Sequence, residues 1–426
     1  MQHTIPLAFD PYDFSYTEEN GVRIYYKHLP WAPCVHIHLS FTVGAFHDPV
    51  GKEGLSHFLE HMIFDGSPTL PDRKAVREWR KTHTLNSWNA HTSHYHTSYH
   101  LRCLPEKFES TLQTMKEQVF SPLLREEDAE HERKVITQEA WGRYHNEKLL
   151  QYIKEYTAQI FPNHSLSRIS SPLGWPDSIQ NISIADIQAW HTAHYHKEML
   201  TVVLVGNIDD TIITQTQHAL SDIPQLTPRT PLYETIPTPL ITHITKTADE
   251  IGLVKEQVEI SISSHKNKPL FSPAHDGLFV SLLRDILYEK MRDEKSLCYG
   301  VSVDRNRTTD YISLGIDVKT SEEHIDLVKK IIETEIQNIT RTDMYRDRFS
   351  QIKTTSLEQM RATEHESDDI IESAVSGLVR NGKIRTMQDQ IKERDVATFE
   401  DMQQAGIYLS DPIYMITEVI LPSKKL

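Results

Sequence analysis

Cysteine is scarce. Cys34, Cys103 and Cys298 are the only three in 426 residues, far apart and with no C-x-x-C pair. An odd, scattered set excludes a disulfide framework and suits a reducing compartment. Basic residues are in deficit, 45 Lys and Arg against 60 Asp and Glu, a net charge of −15. That balance argues against nonspecific binding to nucleic acid or to anionic membrane, which needs a basic surface. Long apolar runs are missing too. Leu200–Val205 spans six residues, against the roughly 20 that a bilayer-crossing helix requires. Met1-Gln2-His3-Thr4-Ile5-Pro6 has no basic segment followed by an apolar one, so no secretory signal is expected and a cytoplasmic location is.

What remains is an ordinary globular composition, 38% hydrophobic and 25% charged. The length exceeds what one core serves, and two domains of about 200 residues are expected. The 24 histidines imply no metal by number alone. Residues 22–27 and 34–43 read as strands, and 55–64 and 72–83 as helices. Residues 85–101 read as a strand pair, 105–120 and 125–161 as helical, 184–195 as a helix and 200–205 as a buried strand. Pro224–Pro239 holds five prolines and no glycine, the composition of an extended linker. Beyond it the order recurs: strand 257–263, helix 277–291, strands near 299–303 and 311–318, helices to about 404, and a last strand 413–421. The halves read as divergent copies. The expected fold is α+β, two homologous domains, each an antiparallel-rich sheet with helices packed on it. The boundaries are 1–223, a linker 224–245, and 246–426.

His57-Phe58-Leu59-Glu60-His61 carries the chemistry. Two histidines four residues apart on a helix lie about 40° apart around its axis and face one metal ion. Glu60, one residue before the second histidine, can reach a metal-bound water, whose pKa the ion lowers. This H-x-x-E-H order is the inverse of H-E-x-x-H. Three polar residues on an amphipathic helix also arise by chance; here the helix is short, apolar and preceded by a strand and a Gly-containing loop. A catalytic zinc wants a third protein ligand. Glu132 and Glu139 are seven residues apart, close to two turns, so they share a helix face. One can bind the metal while the other orients a ligand histidine. In isolation that face reads as solvated acidic surface. Without gaps, His57, Glu60 and His61 correspond to Val280, Leu283 and Arg284 in the second half, so only the first copy has metal chemistry. His94, His96 and His100 are expected on one strand face, a polar surface or a second metal site.

Gly54-Leu55-Ser56-His57-Phe58-Leu59-Glu60-His61-Met62-Ile63-Phe64 resembles the active helix of the pitrilysin/insulinase family of zinc metallopeptidases. Glu139, 78 residues after His61, matches the ligand Glu of the family's E-x6-E helix, and Glu132 its earlier Glu. Asn89-Ala90-His91-Thr92-Ser93 is similar to the strand beside that helix, and Arg292 and Tyr299 fit the second-domain R-x6-Y. The family's usual Gly pair before the Asn-Ala strand has no counterpart in Thr82–Trp88. The resemblance implies one Zn²⁺ per chain on His57, His61 and Glu139, Glu60 as general base, and Glu132 orienting a histidine. It implies Tyr299 on the oxyanion, Arg292 on substrate backbone or the same charge, and a peptide strand bound near Asn89 and Ala90. Short members pair into a clamshell around a chamber, so a homodimeric endopeptidase for unstructured peptides or precursor segments is expected. A heterodimer, or a non-catalytic peptide-binding scaffold, is the alternative.

Overall fold

A computed structural model describes residues 9–227, 235–239, 242–309, 311–362 and 366–424. The first sheet comprises β1 (Ser15–Glu19), β2 (Val22–His28), β3 (Val35–Phe41), β4 (Asn89–Thr92), β5 (Thr97–Cys103) and β6 (Leu200–Gly206). Its spatial order is β1-β2-β6-β3-β5-β4, with β2 and β6 parallel and all other neighbours antiparallel. The second sheet comprises β7 (His243–Thr247), β8 (Val258–Asn267), β9 (Cys298–Arg307), β10 (Tyr311–Thr320) and β11 (Met415–Leu421). Its order is β7-β11-β8-β10-β9, and only β7 and β11 run parallel. Setting β7, β11, β8, β10 and β9 beside β2, β6, β3, β5 and β4 matches every neighbour and every direction. The α+β repeat is therefore visible as topology.

Among the helices of the first half are α1 (Leu55–Met62), α2 (Arg73–His83), α3 (Phe108–Phe120), α4 (Glu126–Tyr144) and α5 (Glu147–Ile160). Leu55, Phe58, Leu59 and Met62 of α1 join Ile37, Leu39 and Phe41 of β3 in one buried core. The helical stretch expected over 125–161, with room for breaks, has one at His145, whose φ is +58°, and α5 restarts with Asn146 accepting from Leu149 N. Asn at an N-cap satisfies a free helix donor, worth about 1 kcal/mol. The strand pair expected over 85–101 is shorter than its span. Residues 84–88 form a turn in which Leu85 and Asn86 take φ of +49° and +59°, so left-handed backbone is reached there without glycine. The first strand and the helix Asp210–Ala219 were not expected from periodicity. β7 occupies the last positions of the expected linker, of which 228–234 and 240–241 lie outside the described residues.

All seven residues of β3 are buried, though its sequence alternates apolar and polar. The reason is a helix from the second half. Ser367–Asn381 covers the face opposite α1, and Ile370, Ile371, Ala374 and Val375 pack on Leu29, Val203 and Val205. Full burial of each Ile is worth about 1.5–3 kcal/mol, so this seam ties the halves together. Among the described residues, no helix is long and apolar enough to cross a membrane.

Candidate metal centre

The helix α1 starts where the chain demands glycine. Gly54 has φ +99°, and a Cβ there would sit 2.7 Å from Leu173 O. Asp48 then takes the place of a cap. Its Oδ2 accepts from Gly54 N at 2.8 Å, and its Oδ1 accepts from Ser56 N at 3.0 Å and Ser56 Oγ at 2.6 Å. A carboxylate at a helix N-terminus satisfies free donors and complements the dipole. Burial nonetheless pushes Asp48 up to about 7, against those hydrogen bonds. Neither periodicity nor spacing marks Asp48 in the sequence.

With its apolar face in the core, α1 turns His57, Glu60 and His61 toward α4. Glu139 Oε2 lies 4.0 Å from His57 Nε2 and 3.7 Å from His61 Nε2. The imidazole centroids are 4.7 Å apart at 73°. These three residues form a group of potential ligand atoms all within 4.8 Å of one another, the only such group among the described residues. Tetrahedral zinc with bonds of about 2.1 Å sets its ligand atoms about 3.4 Å apart, so small side-chain rotations suffice. Burial drives the His57 imidazole down to about 3, with the neighbouring His61 and His91 acting in the same direction. It is therefore held neutral, the form that binds metal.

Two turns earlier on α4, Glu132 Oε2 accepts from His61 Nδ1 at 2.7 Å. That bond places the proton on Nδ1 and leaves the Nε2 lone pair facing Glu139. Burial would lower His61, but the Glu132 hydrogen bond and the charges of Glu132, Glu60 and Glu139 outweigh it and raise it. Glu132 is itself fixed by Arg73 Nη2 at 2.5 Å, and Arg73 Nε reaches Asp65 Oδ1 at 2.5 Å. Glu60 lies between the helix and the edge strand, where Thr92 Oγ1 donates to its Oε2 at 2.5 Å. Burial raises the Glu60 carboxyl above its ordinary value although the Thr92 bond opposes it. The donor set, one buried and one half-buried imidazole with the latter's tautomer fixed plus a carboxylate oxygen, fits a zinc ion, and a divalent cation would offset the gathered charge of Glu60, Glu132 and Glu139.

The other expected residues divide in two. Asn89 and Ala90 lie on β4, the outermost strand, opposite His100 and Tyr99 of β5. Arg292 and Tyr299 come together elsewhere. Arg292 sits in a π-helical turn, Glu289–Asp293, with its guanidinium 4.7 Å from the Tyr299 ring and 5.0 Å from that of Tyr288. Such turns recur at functional sites. Tyr299 is 87% exposed. Among the described residues, neither makes a contact with the His57 group. The expected histidine face does not form. His94 lies in the turn between β4 and β5, tilted against the Phe46 ring; His96 Nδ1 meets Ser93 Oγ at 2.5 Å; and His100 stacks on His38. The turn interrupts the alternation, so the three do not converge on one point.

Residues 23–168 match the family model of Insulinase (Peptidase family M16), and residues 181–356 that of the Peptidase M16 inactive domain. The chain belongs to the M16 peptidase family. An uncharacterized zinc protease of Rickettsia felis is 24% identical over 76% of this chain and 77% of that protein. The crystal structure of a putative M16-like peptidase from Alicyclobacillus acidocaldarius shares the fold, with a TM-score of 0.80 at 17% identity, covering 99% of this chain and 100% of that one. The periplasmic protease PqqL from Escherichia coli gives a TM-score of 0.80 at 16% identity, covering 98% of this chain and 48% of that one. The chain thus spans about half the length of PqqL, and the match to a Rickettsia bellii zinc protease spans 49% of that protein. A first prediction concerns Glu132. Glu132→Gln should weaken zinc retention about 10- to 100-fold, as loss of a ligand-orienting partner does. Chelator competition on the purified variant measures it, and unchanged retention would remove Glu132 from the metal site.

Proposed function

We propose that this M16 member is a zinc-dependent endopeptidase acting on unstructured peptides in a chamber completed by a second copy of itself. The convergence of His57, His61 and Glu139 beside the buried carboxylate of Glu60 carries the reading. Bound Zn²⁺ would supply a Lewis acid and a water of lowered pKa. Thr92 occupies Glu60 Oε2, leaving Oε1 to take the proton of the attacking water and pass it to the leaving amine. The open edge of β4 supports binding of the substrate as an added strand, which reads backbone first and so selects unfolded segments. The second repeat supports one zinc per chain. Val280 and Leu283 are buried there, and Arg284 donates to Val303 O through Nε at 3.0 Å. The direct test is zinc content of the purified chain together with cleavage of a quenched, unstructured peptide. Zinc well below one per chain would end the proposal.

In this reading Tyr299 and Arg292 serve the partner's zinc domain, Tyr299 as a hydrogen-bond donor to the oxyanion and Arg292 on the substrate backbone. Tyr299→Phe should then cost about 10²–10³ in kcat. Mixing Glu60→Gln with Tyr299→Phe, each nearly inactive alone, should restore about a quarter of wild-type activity. Random exchange makes half the dimers mixed, and each mixed dimer has one intact site of two. No recovery after verified subunit exchange would place Tyr299 outside a shared site.

A further inference from the structure

The second half contains a cavity that the peptidase chemistry does not use. It measures about 270 Å³, and its walls include Arg305, Arg307, Arg380, Arg385 and Arg394. These come from four separate elements: β9, the helices Ser367–Asn381 and Met387–Val396, and the connection between those helices. Five guanidinium groups around one small space need counter-charge. Among the described residues, the carboxylates paired with them are two. Asp276 lies 3.5 Å from Arg305 Nη1 and also pairs with Arg307, while Glu393 lies 2.5 Å from Arg385 Nη2. Arg380 and Arg394 have no carboxylate partner among the described residues. Arg394 bonds Ser356 through Nη1, but its Nε is buried without a hydrogen-bond acceptor.

The arrangement converges rather than spreads. A Cβ on Gly277 would lie 3.3 Å from both Arg305 Nη2 and Arg394 Nη2. Two like charges are thus gathered over one glycine that leaves them room. Pro273 and Ala274, the first residues of the 16-residue helix Pro273–Tyr288, also line the cavity, so a positive helix end points the same way. Burial, with Arg307, Arg394 and Arg385 adding repulsion, drives Arg305 down to about 10 despite Asp276, as expected where negative charge is missing. A second cavity of about 450 Å³ shares Ser376, Asn381, Arg385 and Gln390 with the first. Planar arginine forks match phosphoryl oxygens in pairs, and the space exceeds what one phosphate fills.

We propose that this arginine-lined cavity binds an oligophosphate chain, either free or carried by a nucleotide. The test is equilibrium dialysis of the full-length protein against tripolyphosphate and, separately, ATP. Wild type is compared with Arg394→Gln, with Arg380→Gln, and with Lys81→Gln on α2 as a remote control. Any chelation of zinc by the phosphates is common to all four proteins. The expected result is saturable binding of one tripolyphosphate per chain, weakened at least about tenfold in Arg394→Gln and Arg380→Gln and unchanged in Lys81→Gln. Equal affinity for the two probes assigns a free chain, and tighter ATP places the nucleoside in the neighbouring cavity. Should Arg394→Gln fail to fold, the exposed Arg380 decides the matter. Absence of saturable binding to wild type, or binding that both arginine variants keep, overturns the proposal.

Discussion

Glu60→Gln is expected to keep its zinc and lose peptidase activity by at least about 10³-fold, in the upper range for removing a general acid–base group. The amide fills the same space and still accepts from Thr92 through its oxygen, and Glu60 is not one of the three converging ligand side chains. Zinc analysis and single-turnover cleavage of one peptide read the two properties separately. The pH profile gives an independent check. The Thr92 hydrogen bond favours the charged form of Glu60 while burial opposes it. Thr92→Val should therefore raise the Glu60 pKa and move the acid limb of kcat/KM to higher pH. If Glu60→Gln keeps zinc and cleaves within about tenfold of wild type, the base lies elsewhere.

The parts of this centre that the sequence revealed share one property: their geometry is local. His57, Glu60 and His61 sit within one helical turn, and the seven-residue spacing of Glu132 and Glu139 puts both on one face of α4. Periodicity alone predicts those faces. Pairing α1 with α4 took family resemblance, because nothing in either segment encodes their contact. Asp48, and the role of Thr92 within the Asn89–Ser93 strand, were missed for the same reason. A buried capping carboxylate and a threonine hydroxyl aimed across to Glu60 are tertiary facts, invisible to spacing. The largest omission was where the helix Ser367–Asn381 docks. The alternation of His36, His38 and Ser40 with Val35, Ile37 and Leu39 is that of a half-solvated strand, yet β3 is wholly buried because a segment more than 300 residues away covers it.

That covered face should make the fold acid-sensitive. His36 and His38 of β3, with His96 and His100, lie on or beside it, and His38 stacks on His100 with centroids 4.7 Å apart. Asp368 Oδ1 is 3.1 Å from His36 Nδ1, and Glu372 Oε1 is 3.6 Å from His38 Nε2. Both carboxylates are largely solvated, and Arg102 and Arg380 add opposing charge nearby. Burial therefore prevails. His36 and His96 are each driven down to about 4, and His38 and His100 are also lowered. A base whose pKa falls on folding binds more protons when unfolded, so its stability is complete above about 6.5 and is lost as pH falls toward 4. Several such groups together should cost at least about 2 kcal/mol per pH unit in that window. Urea midpoints between pH 7.5 and 4.5 measure the slope. Replacing His38 and His100 together by Leu should flatten it, because two apolar side chains in the stack have no proton to bind. A wild-type profile that stays flat to pH 4.5 would mean that the seam between Ser367–Asn381 and β3 opens to solvent before its histidines titrate.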